Sequence, residues 1–355
     1  MTTTSVAVPP PHVCPKNMVY GPCGGVGHDG SCEVADHACV FLGNDLPLWP
    51  TSPAGEPEWP VRTTGGSAML SRLARGRVVV ADFPARAMDV VSLTACARIL
   101  AGRVDAVLVG DSGDARVQFP PAYRAHLIQD SGLPVWAGLN CRDRNRVALE
   151  GEMAALASVS LAGHPSSVAA VHCVTGDHTE TGHRPDAAPV FDLDSTRLAA
   201  LARSRGHLVS VGESPATPPV DQRAARLAEK VRAGADVAFI NHCGPATAVA
   251  TFVDQLAPGQ RPGAFIACIP VVVDAGSAAL LRSFTSLVLP PGYLDRILAA
   301  GNPLTEGILA AVELAEQMLA VDGIAGVNLS GGPAGGQEEQ FATALAEIAR
   351  ALSTT

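Results

Sequence analysis

Cys14, Cys23, Cys32 and Cys39 fall within the first forty residues of a 355-residue chain that has nine cysteines in all. They stand in Cys14-Pro15-Lys16-Asn17-Met18-Val19-Tyr20-Gly21-Pro22-Cys23-Gly24-Gly25, then Cys32-Glu33-Val34, then Cys39. Glycine and proline surround them, with few apolar residues to bury. Such a piece cannot fold on a hydrophobic core, so disulfides or a metal must hold it. The rest of the chain reads as a reducing-compartment enzyme, which favours the metal. The spacing lacks the C-x2-C knuckle of zinc fingers. Zinc is the first expectation and a 4Fe-4S cluster, which takes the same four thiolates, the alternative. His28 and His37 read as surface loop residues that could replace one ligand.

A second set of chemical groups lies at the ends of short apolar runs. Asp82, Asp111, Asn140, Asp177, Glu213, Asn241 and Ser330 each close a run of β-branched and aliphatic residues. Carboxylates and amides at so many equivalent positions point to one lined site. No Ser/His or Cys/His pair, no HExxH and no P-loop spacing accompanies them. Arg116 and Arg142 follow such ends directly and are candidates for phosphate or carboxylate binding. Arg144 and Arg146 read as helix-surface charge.

These groups need a scaffold. Strands are expected over 77–83, 105–111, 134–140, 169–177, 207–213, 237–243, 264–271 and 325–330. Helices are expected over 89–102, 119–131, 143–157, 193–205, 220–234, 245–256, 275–284, 305–322 and 336–352. Near-continuous apolar strands mean burial on both faces, as in a parallel sheet. Eight such units fit a (β/α)8 TIM barrel better than a doubly wound sheet, whose glycine fingerprint is missing after the first strand, where Phe83-Pro84-Ala85-Arg86 stands. Chemistry in a barrel sits at the C-terminal strand ends. The loop after the fourth strand, 176–194, is long enough to be a lid or binding loop. Asp194 or Ser195 is expected only to cap the next helix.

The domain expectation is a tail and cysteine-rich metal module over 1–43, a Pro-rich linker over 44–70 with Trp49 and Trp59 as anchors, and the barrel over 71–355. The chain is 47% hydrophobic and only 4% aromatic, so the core is aliphatic. A net charge of −9 without basic clusters argues against nucleic acid and anionic membrane as partners. No signal peptide or membrane-length apolar run is found, so a cytoplasmic location is expected. Cys96, Cys141, Cys173, Cys243 and Cys268 lie in apolar segments and read as buried core thiols.

Several stretches resemble the methylenetetrahydrofolate reductase family in its shorter bacterial form. They are Asp111-Ser112-Gly113-Asp114-Ala115-Arg116-Val117, Asn140-Cys141-Arg142-Asp143-Arg144-Asn145-Arg146, Thr175-Gly176-Asp177-His178, Pro189-Val190-Phe191-Asp192-Leu193-Asp194-Ser195 and Lys230-Val231-Arg232-Ala233-Gly234-Ala235-Asp236, in family order. The CPK…GPCGG…CEV module resembles the small cysteine-rich domain that accompanies these reductases. The resemblance implies reduction of 5,10-methylenetetrahydrofolate to 5-methyltetrahydrofolate in one-carbon metabolism, by NADH or NADPH through FAD. It implies Asp177 and Asn241 at the pterin with Glu213 near the substrate, and Asp111, Arg116, Asn140, Arg142 and Lys230 at the cofactor. It also leaves open a homo-oligomer or a one-carbon pathway partner protein. One departure matters. Aligning Phe83-Pro84 puts Ala81 where the family has its general-acid glutamate, with Asp82 beside it. Neighbouring strand residues face opposite sides. Either a bulge re-aims Asp82 as the acid, another strand-end carboxylate serves, or the chain is a catalytically degenerate folate-binding barrel acting as subunit or scaffold in methyl transfer.

Overall fold

The computed structural model describes residues 14–50, 58–111, 117–181, 184–284 and 286–353. Eight parallel strands close into a barrel: β1 (Val78–Asp82), β2 (Ala106–Val109), β3 (Val135–Asn140), β4 (Ala170–Val174), β5 (Val209–Glu213), β6 (Val237–Ile240), β7 (Ala264–Pro270) and β8 (Ile324–Ser330). Each pairs with its chain neighbour, and β1 closes on β8. A two-strand hairpin, 160–161 with 164–165, stands outside the barrel. The expected (β/α)8 TIM barrel is therefore the fold.

Alternation along each strand sorts the residues into two cores. Val78 and Val80 of β1, Trp136 of β3, Phe239 of β6 and Ile266 of β7 fill the barrel interior. Val79, Ala81, Leu139, Val211 and Leu329 point outward against the helices. Both faces are buried, which is why the runs read as continuous apolar segments. Trp136 and Phe239 meet edge to face, with ring centroids 5.1 Å apart.

Helices α2 (Val90–Leu100), α3 (Pro121–Gln129), α4 (Arg146–Leu156), α5 (Ser195–Ser204), α6 (Arg223–Arg232) and α7 (Ala246–Asp254) follow the first six strands. After β7 come α8 (Ala275–Ser283), α9 (Tyr293–Leu298) and α10 (Pro303–Leu319), and α11 (Glu338–Ser353) follows β8. Side-chain caps start several of them: Asp89 accepts from the Ser92 N–H at 3.0 Å, and Asn145 from Ala148 at 3.0 Å. The six-residue α9 was not expected from the sequence. Nor was α1 (Thr64–Leu73), which falls in the Pro-rich stretch. Its Met69 and Leu73 join the interior core and plug the N-terminal end of the barrel. Trp59 lies under the Arg203 guanidinium, 5.3 Å from its ring centroid, and Trp49 packs on Tyr20 at 5.0 Å. Among the described residues no helix is long and apolar enough to cross a membrane.

Candidate functional site

The mouth of the barrel, at the C-terminal strand ends, is where the polar interior residues gather. Asp82 continues the inward set of Val78 and Val80, so no bulge is needed to aim it. Pairing along β1 runs unbroken against both neighbours. Ala81 faces the helices. The alignment that put Ala81 at the acid position is thus one residue away from the face that matters. Asp82 accepts from Asn328 Nδ2 at 2.9 Å and from the Gly331 N–H at 3.2 Å. Burial pushes its carboxyl above the ordinary aspartate value, against the pull of Asn328, Ser330 and Gly331.

The polar set continues from β8 round to β4. Asn328 Nδ2 stands 4.0 Å from Cys268 Sγ, and Cys268 stands 3.9 Å from Asn241 Oδ1. Asn241 Nδ2 donates to Ser214 at 2.9 Å. Asn328 Oδ1 is buried with no hydrogen-bond partner. His172, on β4, shares a hydrogen bond of 2.8 Å between Nδ1 and Ser210 Oγ, which also accepts from Trp136 Nε1 at 2.7 Å. Burial, then the Lys230 charge, lower the His172 pKa to about 3, so the ring is neutral. Its Nε2 and the Asn241 amide flank Gly212, which offers no side chain between them.

Asp111, Asn140 and Arg142 come together at the ends of β2 and β3. Asn140 Nδ2 donates to Asp111 at 2.6 Å and to Asp143 at 3.0 Å. Arg142 pairs with Asp143 at 2.7 Å and with Asp111 at 3.0 Å. Asp177 sits on the exposed rim after Gly176, whose φ of +88° turns the chain there. A Cβ on Gly176 would press to 3.2 Å on Asn140 Cβ. The Asp177 carbonyl accepts from Arg142 at 3.4 Å. Arg116 lies outside the described residues.

Glu213 and Lys230 do not reach the mouth. Glu213 faces outward from β5 into the layer under α6, buried against Arg226 at 2.6 Å, Lys230 at 3.0 Å and Arg223 at 3.3 Å. Burial alone would raise its pKa, but the three cations hold it well below the usual carboxylate range. Lys230 also donates to the Gly212 carbonyl at 2.5 Å. Burial, then Arg226, lower its pKa to about 7.

The cysteine module docks on the same rim, over the ends of β4 and β5. Asp194 caps α5 by accepting from the Arg197 N–H at 3.0 Å, and its other oxygen accepts from Val19 at 2.9 Å. It therefore joins module to barrel, beyond the capping expected of it. Asn17 donates to the Phe191 carbonyl at 3.1 Å, and Arg223 to the Cys23 carbonyl at 3.1 Å. Met18, Val26 and Phe41 are buried. In the 176–194 loop, His178 stacks on Phe191, and its N–H faces Glu33 at 3.4 Å.

Cys14, Cys23, Cys32 and Cys39 line one pocket with Lys16 and Glu33. All nine cysteines are unpaired thiols, and the other five are buried. Lys16 is buried and paired with Glu33. Burial raises the Cys14 thiol and pushes Cys39 up to about 11. Among the described residues, no three His, Cys, Asp or Glu side chains stand close enough to hold an ion without moving. The donor set matches a tetrathiolate centre in residue type and lines one pocket, but its present arrangement does not hold an ion.

Residues 2–44 match the family model described as methylene-tetrahydrofolate reductase C terminal. All four module cysteines lie within that match, which here precedes the barrel. Among curated proteins, none matches the sequence. In fold, the chain is similar to an uncharacterized protein from Clostridium thermocellum that binds two copies of 5-methyl-5,6,7,8-tetrahydrofolic acid. The TM-score is 0.56 at 11% identity, over 81% of this chain and 100% of that one. Weaker likenesses include oxaloacetate acetylhydrolase (TM-score 0.44, 15% identity, 75% of this chain and 80% of that one) and 2,3-dimethylmalate lyase (0.40, 18%, 74% and 86%).

Sequence reasoning missed His172, Ser210 and Asn328. Each is a polar residue inside an apolar strand, two places before another inward position. For Asn328 the signal was its even step from the strand-end Ser330, which keeps the same face; His172 and Ser210 stand at odd steps from Asp177 and Glu213, and no such spacing marked them.

Proposed function

We propose that the barrel mouth binds a reduced folate and that the chain reduces 5,10-methylenetetrahydrofolate to 5-methyltetrahydrofolate. The observation that carries this reading is Asp82, an inward carboxyl at the end of β1 whose burial favours the protonated form. The reaction needs a hydride at the bridging carbon and a proton on the nitrogen that leaves it. Asp82 supplies the proton, and Asn328 orients its carboxyl. The module match supports a folate-related role. The Clostridium thermocellum protein, similar in fold, binds a reduced folate. Asp177 and Asn241 bind the pterin edge, a carboxylate matching adjacent N–H donors and an amide offering both a donor and an acceptor.

A reduced nicotinamide, NADH or NADPH, supplies the hydride. FAD fits less well. Arg142 is engaged by two carboxylates, and Lys230 is buried on Glu213 and Gly212. Neither presents a cation to an incoming phosphate, so no step is assigned to flavin. Engaged cations also favour the second reading, a folate-binding subunit without turnover that works with a one-carbon partner protein or as a homo-oligomer. One experiment separates them: NADH or NADPH oxidation with methylenetetrahydrofolate, alongside calorimetric titration with tetrahydrofolate. Turnover supports the reductase. Binding without turnover supports the subunit, and no binding ends both. Flavin absorbance in the purified protein reports on FAD.

A further inference from the structure

Inside the barrel, below the rim, Trp136 of β3, His172 of β4 and Ser210 of β5 form a polar chain that no step of the proposed reaction uses. Trp136 Nε1 donates to Ser210 Oγ at 2.7 Å, and an indole N–H can only donate. The Ser210 oxygen is therefore an acceptor on that side and has one proton of its own to give. Its two takers are His172 Nδ1 at 2.8 Å and the Val171 carbonyl at 3.5 Å. The first distance is normal for a hydroxyl hydrogen bond and the second lies beyond that range. Ser210 thus donates to Nδ1, which leaves the ring proton on Nε2. Phe239 packs on the imidazole, with centroids 4.9 Å apart, and on Trp136 at 5.1 Å, which holds the rings in place.

The Nε2 side of that ring is open. His172 is partly exposed, and among the described residues its Nε2 has no hydrogen-bond partner. It faces Gly212, two residues beyond Ser210 on the same inward face of β5. A Cβ on Gly212 would meet His172 Nε2 at 3.7 Å and Asn241 Nδ2 at 4.0 Å, with His172 the nearest contact. Asn241 gives one amide proton to Ser214 at 2.9 Å and has a second to give. Two N–H donors therefore border one space that Gly212 leaves open. Both are neutral, since burial keeps the imidazole uncharged.

Two neutral donors at one point select an acceptor with two lone pairs, and a carbonyl oxygen is such a group. We propose that His172 Nε2–H and Asn241 Nδ2 together bind a ring carbonyl of the ligand above Gly212, and that Ser210, held by Trp136, is the positioning residue that keeps the proton on Nε2. This rests on the folate reading, in which that carbonyl is the 4-oxo group of the pterin, beside the N–H donors taken by Asp177. The arrangement makes the mouth selective. A 4-amino pterin turns donors toward donors and is rejected.

The test is calorimetric titration of the full-length chain with tetrahydrofolate and with its 4-amino analogue. The parent is expected to bind the 4-oxo form roughly tenfold more tightly or better. His172→Phe should weaken tetrahydrofolate binding roughly three- to tenfold, the size of one neutral hydrogen bond, and shrink the preference for the 4-oxo form by a similar factor. His172→Gln, which places an amide donor near the Nε2 position, should restore both. Gly212→Ala leaves the donors intact but fills the space between them, and should weaken both ligands. Equal binding of the two ligands by the parent, or an unchanged preference in folded His172→Phe, overturns the inference. Nitrogen NMR of the His172 ring needs no loss of the histidine. The proton is expected on Nε2 in the parent, with a resonance that moves on adding tetrahydrofolate, and Ser210→Ala should mix the two tautomers. A proton on Nδ1, or an Nε2 resonance indifferent to the ligand, overturns the inference, and an unchanged tautomer in Ser210→Ala removes the positioning role. Each of these failures leaves the folate reading standing. A parent that binds no tetrahydrofolate ends both.

Discussion

The barrel and the cysteine module are stabilised in different ways. The barrel buries two apolar shells, one inside the strands and one beneath the helices. The module buries Met18, Val26 and Phe41, and otherwise relies on thiols, one buried ion pair and hydrogen bonds to the barrel rim. The first can stand on hydrophobic burial. The second is too small to do so, and it leans on its neighbour, with a metal as the proposed further support. Asp177, His178 and Asp194 all stand where the two meet.

The largest expected effect tests that asymmetry directly. Chelation, or Cys32→Ser, should unfold the module while the barrel keeps its far-UV circular dichroism and its main melting transition. Apparent metal-binding energies of structural zinc sites reach about 10–16 kcal/mol, far more than three buried side chains supply. A single unchanged transition after complete metal removal would show that the module stands without metal. The reverse experiment is Leu139→Ala in the outer barrel core, which should cost about 2–5 kcal/mol and destabilise both regions, because the module docks on the barrel.

Next in size is Asp82→Asn, which should lower turnover by roughly two to four orders of magnitude, the scale of a general acid. The pH profile gives a second readout. With its pKa raised in the folded state, Asp82 holds its proton below that value and loses it as pH rises, so acid-dependent activity falls on the alkaline side. Stability follows the same sign: the contribution of protonated Asp82 is full below the ordinary aspartate value and is lost as pH rises through the folded one. Asp82→Asn should flatten that part of both curves. Equal turnover in variant and parent would move the acid elsewhere.

Asp177→Ala should weaken tetrahydrofolate binding roughly ten- to a hundredfold, since a hydrogen bond to a charged group contributes about 1.5–3 kcal/mol. Calorimetry on the folded variant measures it, and unchanged affinity removes Asp177 from the pterin. Asn241→Ala should do less, because Asn241 already spends its amide on Ser214. If the larger loss comes from Asn241, the ligand sits deeper in the mouth than the rim.

Much of the scaffold was legible beforehand. All eight strands formed within a few residues of their expected spans, because burial on both faces writes continuous apolar runs into the chain. Helix α1 was hidden by prolines just before it, and α9 by its length of six residues. The strand ends were legible as polar positions, but not their destinations. Glu213 and Asp82 end similar runs, yet one turns toward three cations under a helix and the other into the mouth. Asp194 looked like a helix cap alone because its second partner, Val19, lies 175 residues away.

By itself the sequence determined the repeating strand–helix order, the aliphatic core and a four-thiol segment that no core could hold. Those are consequences of local periodicity and of residue chemistry at short range. Tertiary structure decided which strand-end groups share a site. Alternation says that Ala81 and Asp82 face opposite ways, but not which of them faces in. That sign was set when β1 closed against β8 and brought Asp82 to Asn328, 246 residues on. The docking of the module over β4 and β5 was decided at the same level, by contacts such as Arg223 with the Cys23 carbonyl, whose partners are matched only once the barrel exists.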